Sequence, residues 1–509
     1  MKKNIFIIIL SLSLILITVA SLFADEVNGE LYDINGKNIL KIWGTHSERG
    51  YAYGFLMQAG ITDVMKNYIL GQVFMNNSIA YENIRTYFEN YYGIEQKYID
   101  ETESMITGIQ EGGGILYSTV LGRDLDYIDI LLCNTIVDLS ARFSILGDVM
   151  HCSGISSWGE STVQDPELAG ESIITRLLDW TPSQTLLDNQ LIIVSIPSEA
   201  DEQGWISFSF SGMLGSLSGI NESGVTAFMD VGNNSNHPNM ETLHPIFLSI
   251  RNGIESADYN GNGQCNPDDV AAAIEDKLHL SGSITHSICS TEKDSFAIVI
   301  ECNNASGVAI RNVENNTVVP GDNLVATNHF RELYPPVYCY RYNNIVDSLD
   351  ANTEISSERS WNLLCGAAGT YGNIQTIQFI PFNGEILWAT SPNPANPAYT
   401  QIPAEFDLQE LFDLNNVTPP IVENNLQIYA HPNPFSKNVE ISYKLPENIR
   451  SSQIEIFNIK GQLVAKFRIE NSESEINKIV WDASGYSAGI YFYKFNIEKS
   501  PIGKMVLMR

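Results

Sequence analysis

A cysteine, followed further along the chain by an arginine and an aspartate, has the clearest potential for chemistry. Cys152 lies in the segment HCSGISSWG, and the later segment RLLDW contains Arg176 and Asp179. A thiol has an ordinary pKa near 8.5, so at neutral pH it is mostly protonated and needs a nearby base before it can attack a carbonyl. A cysteine at the start of a strand is more often inert packing. From position alone, Cys152 is therefore either buried packing or a nucleophile that lacks a proton acceptor.

A second segment, DYNGNGQCNPDD, has oxygen-bearing side chains at the spacing of a calcium-binding loop. Ca²⁺ needs several oxygen atoms converging at about 2.3 to 2.6 Å, and a glycine at the sixth loop position makes the sharp turn. The loop resembles a single dockerin repeat, but dockerins use two loops, so docking to a cohesin is not implied. We predict structural Ca²⁺ binding within an insertion at 258–278, the alternative being a surface turn that binds nothing. The predicted ligands are Asp258, Asn260, Asn262, the backbone carbonyl of Gln264, and Asp269.

The elements around these residues change from helices to strands at Cys152. Gly50 to Phe74 and Ala80 to Ile115 have apolar residues at helical spacing, and another helical pattern spans Tyr340 to Leu349. Helices followed by a run of consecutive strands predict a layered α+β domain rather than a parallel βαβ fold. The predicted strands, which are short and bounded by Gly, Asn or Asp, are Ile173 to Leu178, Leu191 to Ile196, Trp205 to Phe210, Val225 to Asp230 and Ser295 to Ile300.

Several segments together resemble the acyl-coenzyme A:6-aminopenicillanic acid acyltransferase family, peptidase family C45, of the N-terminal-nucleophile hydrolases. The family has a cysteine at a strand start followed by an R-N-x-D-W-like strand, where this chain has Leu177 and Leu178 in place of the usual polar residue. Further similar segments occur in the family's order: GTHSERGYAYGFL (44–56), DYIDILLCNTIVDL (126–139), GINESGV (219–225) and ATNHF (326–330).

This resemblance implies an αββα sandwich over residues 25–400 and self-cleavage between His151 and Cys152. Cleavage gives the cysteine a free α-amino group of pKa about 7.7 to 8.0, which can serve as the base that a thiol needs. Cys152 would then attack the acyl carbonyl, and Asp179 would orient the cysteine and its amine. Asn328 would stabilise the oxyanion, and Arg176 would pair with Asp179 or a substrate carboxylate. The alternatives are a structural Arg176–Asp179 ion pair and a turn-forming Asn328.

The implied activity is hydrolysis or transfer of an acyl group from a small-molecule amide, through a thioester on Cys152, with no cofactor for catalysis. Because acyl-coenzyme A is scarce outside cells, the expected substrates are amides such as N-acyl amino acids. Two alternatives stay open. One is a non-catalytic secreted surface or scaffold protein that retains the fold, and the other is a Cys/His hydrolase that does not cleave itself.

Both ends of the chain indicate export. Lys2 and Lys3 precede an apolar stretch from Ile5 to Leu22 and the small residue Ala24, the order of a signal peptide covering residues 1–24. After a predicted linker at 401–423, residues 424–509 alternate with frequent turn signals, which predicts a small Ig-like β-sandwich. Its PNPF start and GIYFYK end resemble type IX secretion sorting domains. We therefore expect a protein that is secreted or on the surface of a bacterium, recognised by the secretion machinery.

The composition fits these expectations. The chain has 509 residues, 44% hydrophobic and 17% charged, with a formal net charge of −31. Such a negative charge repels phosphate backbones, so nucleic acid is not an expected partner. Apart from the signal peptide, we expect no membrane span. The seven cysteines form no CxxC pair and predict no disulfide scaffold.

Overall fold

The computed structural model describes residues 27–146, 151–232, 242–316, 318–414, 427–431, 435–444, 451–458, 460, 462–470, 477–496 and 502–508. The predicted signal peptide lies outside the described residues. The chain divides into two compact units, Met1–Asp413 and Leu414–Arg509.

The first unit is a mixed α/β structure with two large sheets. A nine-stranded sheet has the order β1-β2-β7-β8-β9-β10-β11-β12-β13, antiparallel except for the parallel pair β2–β7, and a six-stranded antiparallel sheet has the order β14-β5-β6-β15-β16-β17. A separate short pair is formed by β3 and β4. The strands are β1 (Gly29–Ile34), β2 (Lys37–Gly44), β3 (Tyr117–Ser118), β4 (Arg123–Asp124), β5 (His151–Ser157), β6 (Ile173–Asp179), β7 (Gln190–Pro197), β8 (Trp205–Phe210), β9 (Ser218–Asn221), β10 (Thr226–Gly232), β11 (Gly282–Ile288), β12 (Ala297–Asn303), β13 (Gly307–Asn312), β14 (Asn323–Thr327), β15 (Asn373–Ile380), β16 (Glu385–Thr390) and β17 (Ala404–Asp407).

Helices pack on both sheets. Helices His46–Asp63 and Gln96–Glu111 pack together next to β1 and β2, and helices Tyr340–Ala351 and Ser357–Ala368 pack on β5, β6 and β14. The facing sides of the two sheets meet where β5 and β14 approach β10, β11 and β12. The remaining helical segments are Val64–Val73, a π-helix, then Ser78–Tyr91, Tyr127–Cys133, Ile136–Phe143, Gln184–Asp188, Ile246–Glu255, Pro267–Glu275 and Leu408–Phe412, with short 3₁₀ turns at Gly159–Ser161 and Ala398–Thr400.

The first helix pair depends on local sequence signals. Thr45 caps the first helix, because its hydroxyl accepts from the Glu48 backbone NH while the Glu48 carboxylate accepts from the Thr45 NH at 2.7 Å. Glycines then allow the two helix backbones to touch. A Cβ on Gly50 would lie 2.0 Å from the Glu101 carbonyl oxygen, and one on Gly54 equally close to the Met105 oxygen. The ERGYAYG part of the opening segment is therefore a helix-capping and helix-packing sequence.

The structure confirms the predicted strands and the helix at Tyr340 to Leu349, apart from small shifts in their ends. The predicted helical stretch Gly50 to Phe74 is an α-helix followed by the π-helix Val64–Val73, and Ala80 to Ile115 is two helices, Ser78–Tyr91 and Gln96–Glu111.

The structure extends the first unit beyond the predicted end at residue 400. Residues Ala404–Asp407, in the predicted linker 401–423, form the edge strand β17 paired with β16. Ala404 and Phe406 alternate into the core while Glu405 is exposed, which is the period-2 pattern of an edge strand. The Pro- and Asn-rich sequence before it is typical of a linker, so the sequence did not predict this short strand.

The second unit contains a three-stranded sheet of order β18-β19-β22 and a four-stranded sheet of order β21-β20-β23-β24. Buried apolar side chains from both sheets, among them Val439, Ile454, Trp481 and Phe495, form one core. The strands are β18 (Gln427–His431), β19 (Asn438–Lys444), β20 (Ser451–Asn458), β21 (Leu463–Glu470), β22 (Asn477–Asp482), β23 (Gly489–Phe495) and β24 (Ile502–Leu507).

Two expectations about the whole chain can be compared directly with the structure. The sequence predicted no disulfide scaffold, and all seven cysteines, which fall within the described ranges, are free there. Among the helices of the described residues, none is long and apolar enough to cross a membrane.

Candidate active site

Strands β5 and β6 place the predicted nucleophile next to the predicted arginine–aspartate strand. Cys152 pairs with Leu178, Gly154 pairs with Arg176, and His151 pairs with Asp179. Because side chains alternate along a strand, Cys152 and Gly154 share the face that meets the nine-stranded sheet. A Cβ on Gly154 would lie 2.9 Å from Nδ1 of His286 on β11. Cys152 is fully buried between the two sheets.

Arg176 is fixed beside the sulfur. Its Nη2 lies 3.5 Å from Cys152 Sγ, and its Nη1 donates to Ser218 Oγ at 2.6 Å. Nη2 also donates to the Met229 carbonyl, and Nε lies 3.7 Å from Asp230 Oδ1. The alternative of an Arg176–Asp179 ion pair is not what the structure has, because the carboxylate that Arg176 approaches is on β10. A buried guanidinium with these contacts is a fixed positive charge next to the thiol.

Asn328 follows β14 and contacts the backbone nitrogen of Cys152. That nitrogen donates to Asn328 Oδ1 at 2.8 Å, while Asn328 Nδ2 donates to the Val231 carbonyl at 2.9 Å. Arg341 holds the same group from the helix that begins at Tyr340. Its Nη2 donates to Asn328 Oδ1 at 2.8 Å, and its Nη1 donates to Ser153 Oγ at 2.7 Å and to the Cys152 carbonyl. In the intact chain, Asn328 is thus an acceptor for the nitrogen that cleavage before Cys152 would free.

Asp179 ends β6 opposite the residue before the cysteine. Its Oδ1 accepts a hydrogen bond from Asn373 Nδ2 at 3.2 Å. Burial raises the pKa of Asp179 to about 6, against the opposing effects of Thr370, Arg341, Asn373 and Arg176. Asp179 therefore lies near the bond at which cleavage was predicted, but on the neighbouring strand and without a direct bond to Arg176.

Asp230 is a further carboxylate at this site that the sequence reasoning missed. It lies on β10, is 2% exposed, and neither of its oxygens makes a hydrogen bond of normal geometry with the described residues. Burial raises its pKa to about 6, while the charges of Arg176 and Arg341 oppose the rise. The signal in the sequence is slight, a single aspartate at the end of the apolar run TAFMD. Ser218, which also contacts Arg176, carried no stronger signal. Arg341, in the segment CYRYNN, has a loose resemblance to a family arginine, and the structure places it against Asn328 and Cys152.

The surroundings keep the thiol protonated in the intact chain. Burial raises the pKa of Cys152 to about 12, Arg176 acts to lower it, and the charges of Asp230 and Asp179 raise it further. His286, the buried histidine on this face, bonds Ser156 Oγ through Nε2 at 3.1 Å, and burial lowers its pKa to about 3. A group with that pKa is a weak base. The site thus combines a protonated thiol, a fixed cation and two buried carboxylates.

A small apolar cavity of about 30 Å³ is lined by residues that neighbour site residues in the sequence. Trp180, which follows Asp179, contributes to its wall, and so does Leu217, which precedes Ser218. The Trp180 indole NH donates to the Tyr68 hydroxyl, so part of the wall comes from the π-helical segment. Other lining residues are Val64, Tyr68, Ile136, Leu186, Met213 and Phe247. The cavity is suited to an apolar group rather than a charged one.

The predicted calcium ligands form a compact loop ahead of helix Pro267–Glu275. Asp258 accepts from the Asn262 NH at 3.0 Å and from the Gly263 NH at 2.8 Å, and Asn262 Oδ1 accepts from the Gln264 NH at 2.7 Å. Asp269 accepts from the Asn260 NH at 3.1 Å and from the Asn266 NH at 3.0 Å. The second bond completes a capping box, in which Asn266 is the N-cap and Asp269 is the third residue of the helix. Gly263 has φ +84°, as the sharp turn requires.

Comparisons with known proteins support the expectation at the C-terminus. Residues 428–508 match the family described as secretion system C-terminal sorting domain. The predicted sorting domain is therefore confirmed, and it indicates a protein that is secreted or on the cell surface and that interacts with the type IX secretion machinery.

The first unit has more distant similarities. Protein dcd1B of Dictyostelium discoideum is 23% identical over 227 residues, 39% of this chain and 40% of the relative, so the chain spans less than half of that relative's length. Among solved structures, the Caenorhabditis elegans N-acylethanolamine-hydrolyzing acid amidase ortholog is 15% identical and covers 50% of this chain and 100% of its own, with a TM-score of 0.33. A mutant of the conjugated bile acid hydrolase from Clostridium perfringens is 10% identical, with coverages of 50% and 93% and a TM-score of 0.32.

Proposed function

We propose that the chain is a secreted, self-processing cysteine amidohydrolase of the N-terminal-nucleophile type. The resemblance to the C45 acyltransferase family led to this proposal. The helix pairs on two facing sheets would then be the layers of an αββα sandwich, and the second unit would be an Ig-like β-sandwich. The substrate would be a small amide whose acyl group is passed through a thioester on Cys152 to water or to an amine.

The observation that carries the proposal is the hydrogen bond from the Cys152 backbone nitrogen to Asn328 Oδ1, at 2.8 Å. A side-chain acceptor buried at that nitrogen holds an amide NH in the intact chain and would hold an α-amino group after cleavage between His151 and Cys152. Arg176 Nη2, 3.5 Å from Sγ, would attract a forming thiolate. Nucleophile, amine and cation would then meet within one buried site.

The pKa values explain why cleavage would matter. A thiol whose pKa is about 12 is almost entirely protonated at neutral pH, so the intact chain is expected to lack turnover. Self-cleavage is a single intramolecular event, in which the same sulfur would attack the His151 carbonyl, the peptide bond before Cys152 would break, and water would then release the thioester at His151. An α-amino group attached to the same residue can accept the thiol proton. The Sγ–H bond breaks and an S–C bond forms to the acyl carbonyl, and the amine then passes the proton to the departing nitrogen. Water adds to the thioester in the second half-reaction, releasing the carboxylic acid and returning the proton to sulfur.

The other residues have defined parts in this scheme. Asn328 has a second hydrogen on Nδ2 besides the one donated to Val231, and that hydrogen would stabilise the oxyanion. Asp179, opposite His151 in the sheet, would orient the new amine and favour its charged form. Arg176 would stabilise sulfur rather than pair with Asp179.

The two alternatives make different demands. A Cys/His hydrolase that stays intact needs a basic histidine at the thiol, whereas His286 is a weak base bonded to Ser156. A scaffold protein that lost the chemistry has no need for a buried arginine and two buried carboxylates near one cysteine, since burying such charges is costly. Both arguments favour an enzyme that processes itself.

Two single variants test the proposal. Cys152→Ala should abolish both chain cleavage and hydrolysis of every member of a panel of N-acyl amino acids and penicillins. Cys302→Ala is the matched control, since Cys302 is another buried thiol whose pKa burial raises to about 12. It should process and turn over substrate like the wild type. Cleavage that persists in Cys152→Ala would refute the proposal.

We also propose that the loop at 258–269 binds Ca²⁺ as a structural ion and takes no part in the chemistry. The support is the donor set of Asp258, Asn260 and Asn262 in one turn, with Asp269 at the start of the following helix. Isothermal titration of the chelator-treated protein with CaCl₂ should show one site, and Asp258→Ala should remove it. Heat of binding that is unchanged in Asp258→Ala would contradict the assignment.

A further inference from the structure

We infer that Glu301 is a positioning residue, which together with Arg311 fixes the chain on both sides of Asn328 and thereby sets the contact between Asn328 and Cys152. This inference rests on the proposed function for its kinetic consequences. The contacts that support it are independent of that function.

Glu301 accepts hydrogen bonds from the backbone of the segment that follows Asn328. It lies on β12 and is fully buried. Its carboxylate accepts four hydrogen bonds of 2.9 to 3.0 Å from three successive backbone NH groups, those of Arg331, Glu332 and Leu333. Successive NH groups that converge in this way form an anion-binding concavity, and here the chain's own carboxylate fills it.

Arg311 links Glu301 to the segment before Asn328, and we call this pair of residues the Glu301 anchor. From β13, its Nε donates to Glu301 Oε1 at 2.8 Å, and its Nη1 donates to the Val325 carbonyl at 2.9 Å. Val325 precedes Asn328 by three residues and Arg331 follows it by three. One buried ion pair on the nine-stranded sheet therefore holds both flanks of Asn328, which directly follows β14, the edge strand of the other sheet.

The anchor matters because the chain after β14 has no regular structure of its own. The residues from Asn328 to Cys339 form neither helix nor strand, so no ladder of backbone hydrogen bonds fixes them. Without the carboxylate, the NH groups of Arg331, Glu332 and Leu333 would lose their common acceptor, and because this segment is partly exposed they would bond to water instead. The segment would relax toward other partners. A shift of about 1 Å at a reacting group can lower a rate by about 100-fold.

The first test measures positioning without relying on catalysis. Hydrogen exchange is followed in the Cys152→Ala background, with and without Glu301→Gln. The inference predicts faster exchange of the amides of 325–333 and of residue 152. The matched control is Asp138→Asn, because Asp138 is also a buried carboxylate that accepts three backbone NH bonds, from Ile246, Leu280 and Ser281. The control should leave exchange at 325–333 and at residue 152 unchanged, and unchanged exchange in Glu301→Gln would overturn the inference.

The second test asks whether Glu301 acts through Asn328. Glu301→Gln should slow self-cleavage and lower kcat by about 10- to 100-fold, with KM within about twofold, whereas Asp138→Asn should lower thermal stability alone. Glu301→Asp should recover part of the loss. In an Asn328→Ala background, Glu301→Gln should have no further effect, because the two residues act as one unit.

The outcomes separate this inference from the proposed function. Glu301→Gln effects on kcat that multiply those of Asn328→Ala would overturn the inference while leaving the enzyme assignment intact. A wild-type chain that neither cleaves itself nor turns over any substrate would refute the proposed function, and the exchange experiment would still decide whether Glu301 positions Asn328.

Discussion

Replacing His46 with glutamine should destabilise the protein at neutral and mildly acidic pH and have progressively less effect at alkaline pH. His46 lies in the helix His46–Asp63 with both ring nitrogens facing carboxylates, Nδ1 at 2.7 Å from Glu101 Oε2 and Nε2 at 2.8 Å from Glu202 Oε1. Since a carboxylate accepts and does not donate, both nitrogens must carry hydrogen and the ring must be an imidazolium.

The charge balance of the surrounding cluster gives the same result. Its carboxylates come from Glu101, Glu199, Glu202 and Glu255, and its permanent cations from Arg49, Lys97 and Arg251. The cluster is neutral when His46 is charged. The Tyr98 ring packs edge-on against His46, and Arg251 Nη2 lies 3.5 Å from its Nδ1. Lys97 Nζ bonds both Glu202 and Glu255, two of the three side chains that together with His46 could otherwise hold a metal ion.

The magnitude follows from the cost of leaving a buried charge without its partner, about 3 to 5 kcal/mol. Glutamine keeps one amide donor for one of the two carboxylates. We therefore expect the lower end of that range, a loss of about 3 kcal/mol in the free energy of unfolding.

The pH dependence has a definite sign. Burial alone would lower the pKa of His46, but its hydrogen bonds to Glu101 and Glu202 and the charge of Glu101 raise the pKa above 6.5. The stabilisation is fully present below the unfolded-state pKa of about 6.5 and is lost as the pH rises through the folded-state value. The lowered pKa values of Glu101, Glu202 and Glu255 remove stability only below about pH 4.5.

Urea unfolding of wild type and His46→Gln at pH 5.5, 7.5 and 9.5 measures the difference. His279→Gln is the matched control, since burial lowers the pKa of His279 to about 3 and it is neutral throughout this range. The His279→Gln difference should stay constant above pH 7 and become smaller or reverse at pH 5.5, where the neutral buried ring costs wild type stability. A His46→Gln loss below about 1 kcal/mol, or one equal at pH 5.5 and 9.5, would show that the imidazolium is not what stabilises the cluster.

Three further predictions concern other parts of the molecule. Asp230→Asn removes a carboxylate whose charge raises the pKa of Cys152, so the pH dependence of kcat/KM should shift to lower pH; a pH profile that is unchanged or shifted upward would contradict this. Gly50→Ala places a Cβ 2.0 Å from the Glu101 carbonyl and should cost about 1 to 3 kcal/mol in chemical unfolding, whereas Gly366→Ala, with open space around its Cβ, should be neutral or stabilising. Deletion of 428–508 should keep the protein out of the medium and off the cell surface, as immunoblotting of cell fractions would show, and normal export would argue against the sorting role.

The sequence predicted those features that depend on local pattern or on motif order. Strand periodicity predicted β6, β7, β8 and β10. The order of the family-like segments predicted Cys152, Arg176 and Asn328 as site residues. In the structure, Arg176 Nη2 lies 3.5 Å from Cys152 Sγ, and Asn328 Oδ1 lies 2.8 Å from the backbone nitrogen of Cys152. The sorting domain was equally accessible, because its start and end motifs lie within one continuous stretch.

Features made by partners distant in the chain could not be predicted in the same way. Asp230 approaches Arg176 only because β10 of the nine-stranded sheet faces the six-stranded sheet that contains β6, and the Glu301 anchor joins residues on three separate elements. The direction of the Asn328 hydrogen bonds was also beyond the sequence. Its residue type suggested a donor, whereas its oxygen accepts from Cys152 in the intact chain.

The proposed function requires that the peptide bond before Cys152 breaks. The most direct measurement is the denaturing mass spectrum of the secreted protein, with N-terminal sequencing of each fragment. Self-cleavage before Cys152 predicts two chains, one ending at His151 and one beginning Cys152-Ser153-Gly154, and a single intact chain for Cys152→Ala. An unbroken wild-type chain with full amide-hydrolysing activity would contradict it.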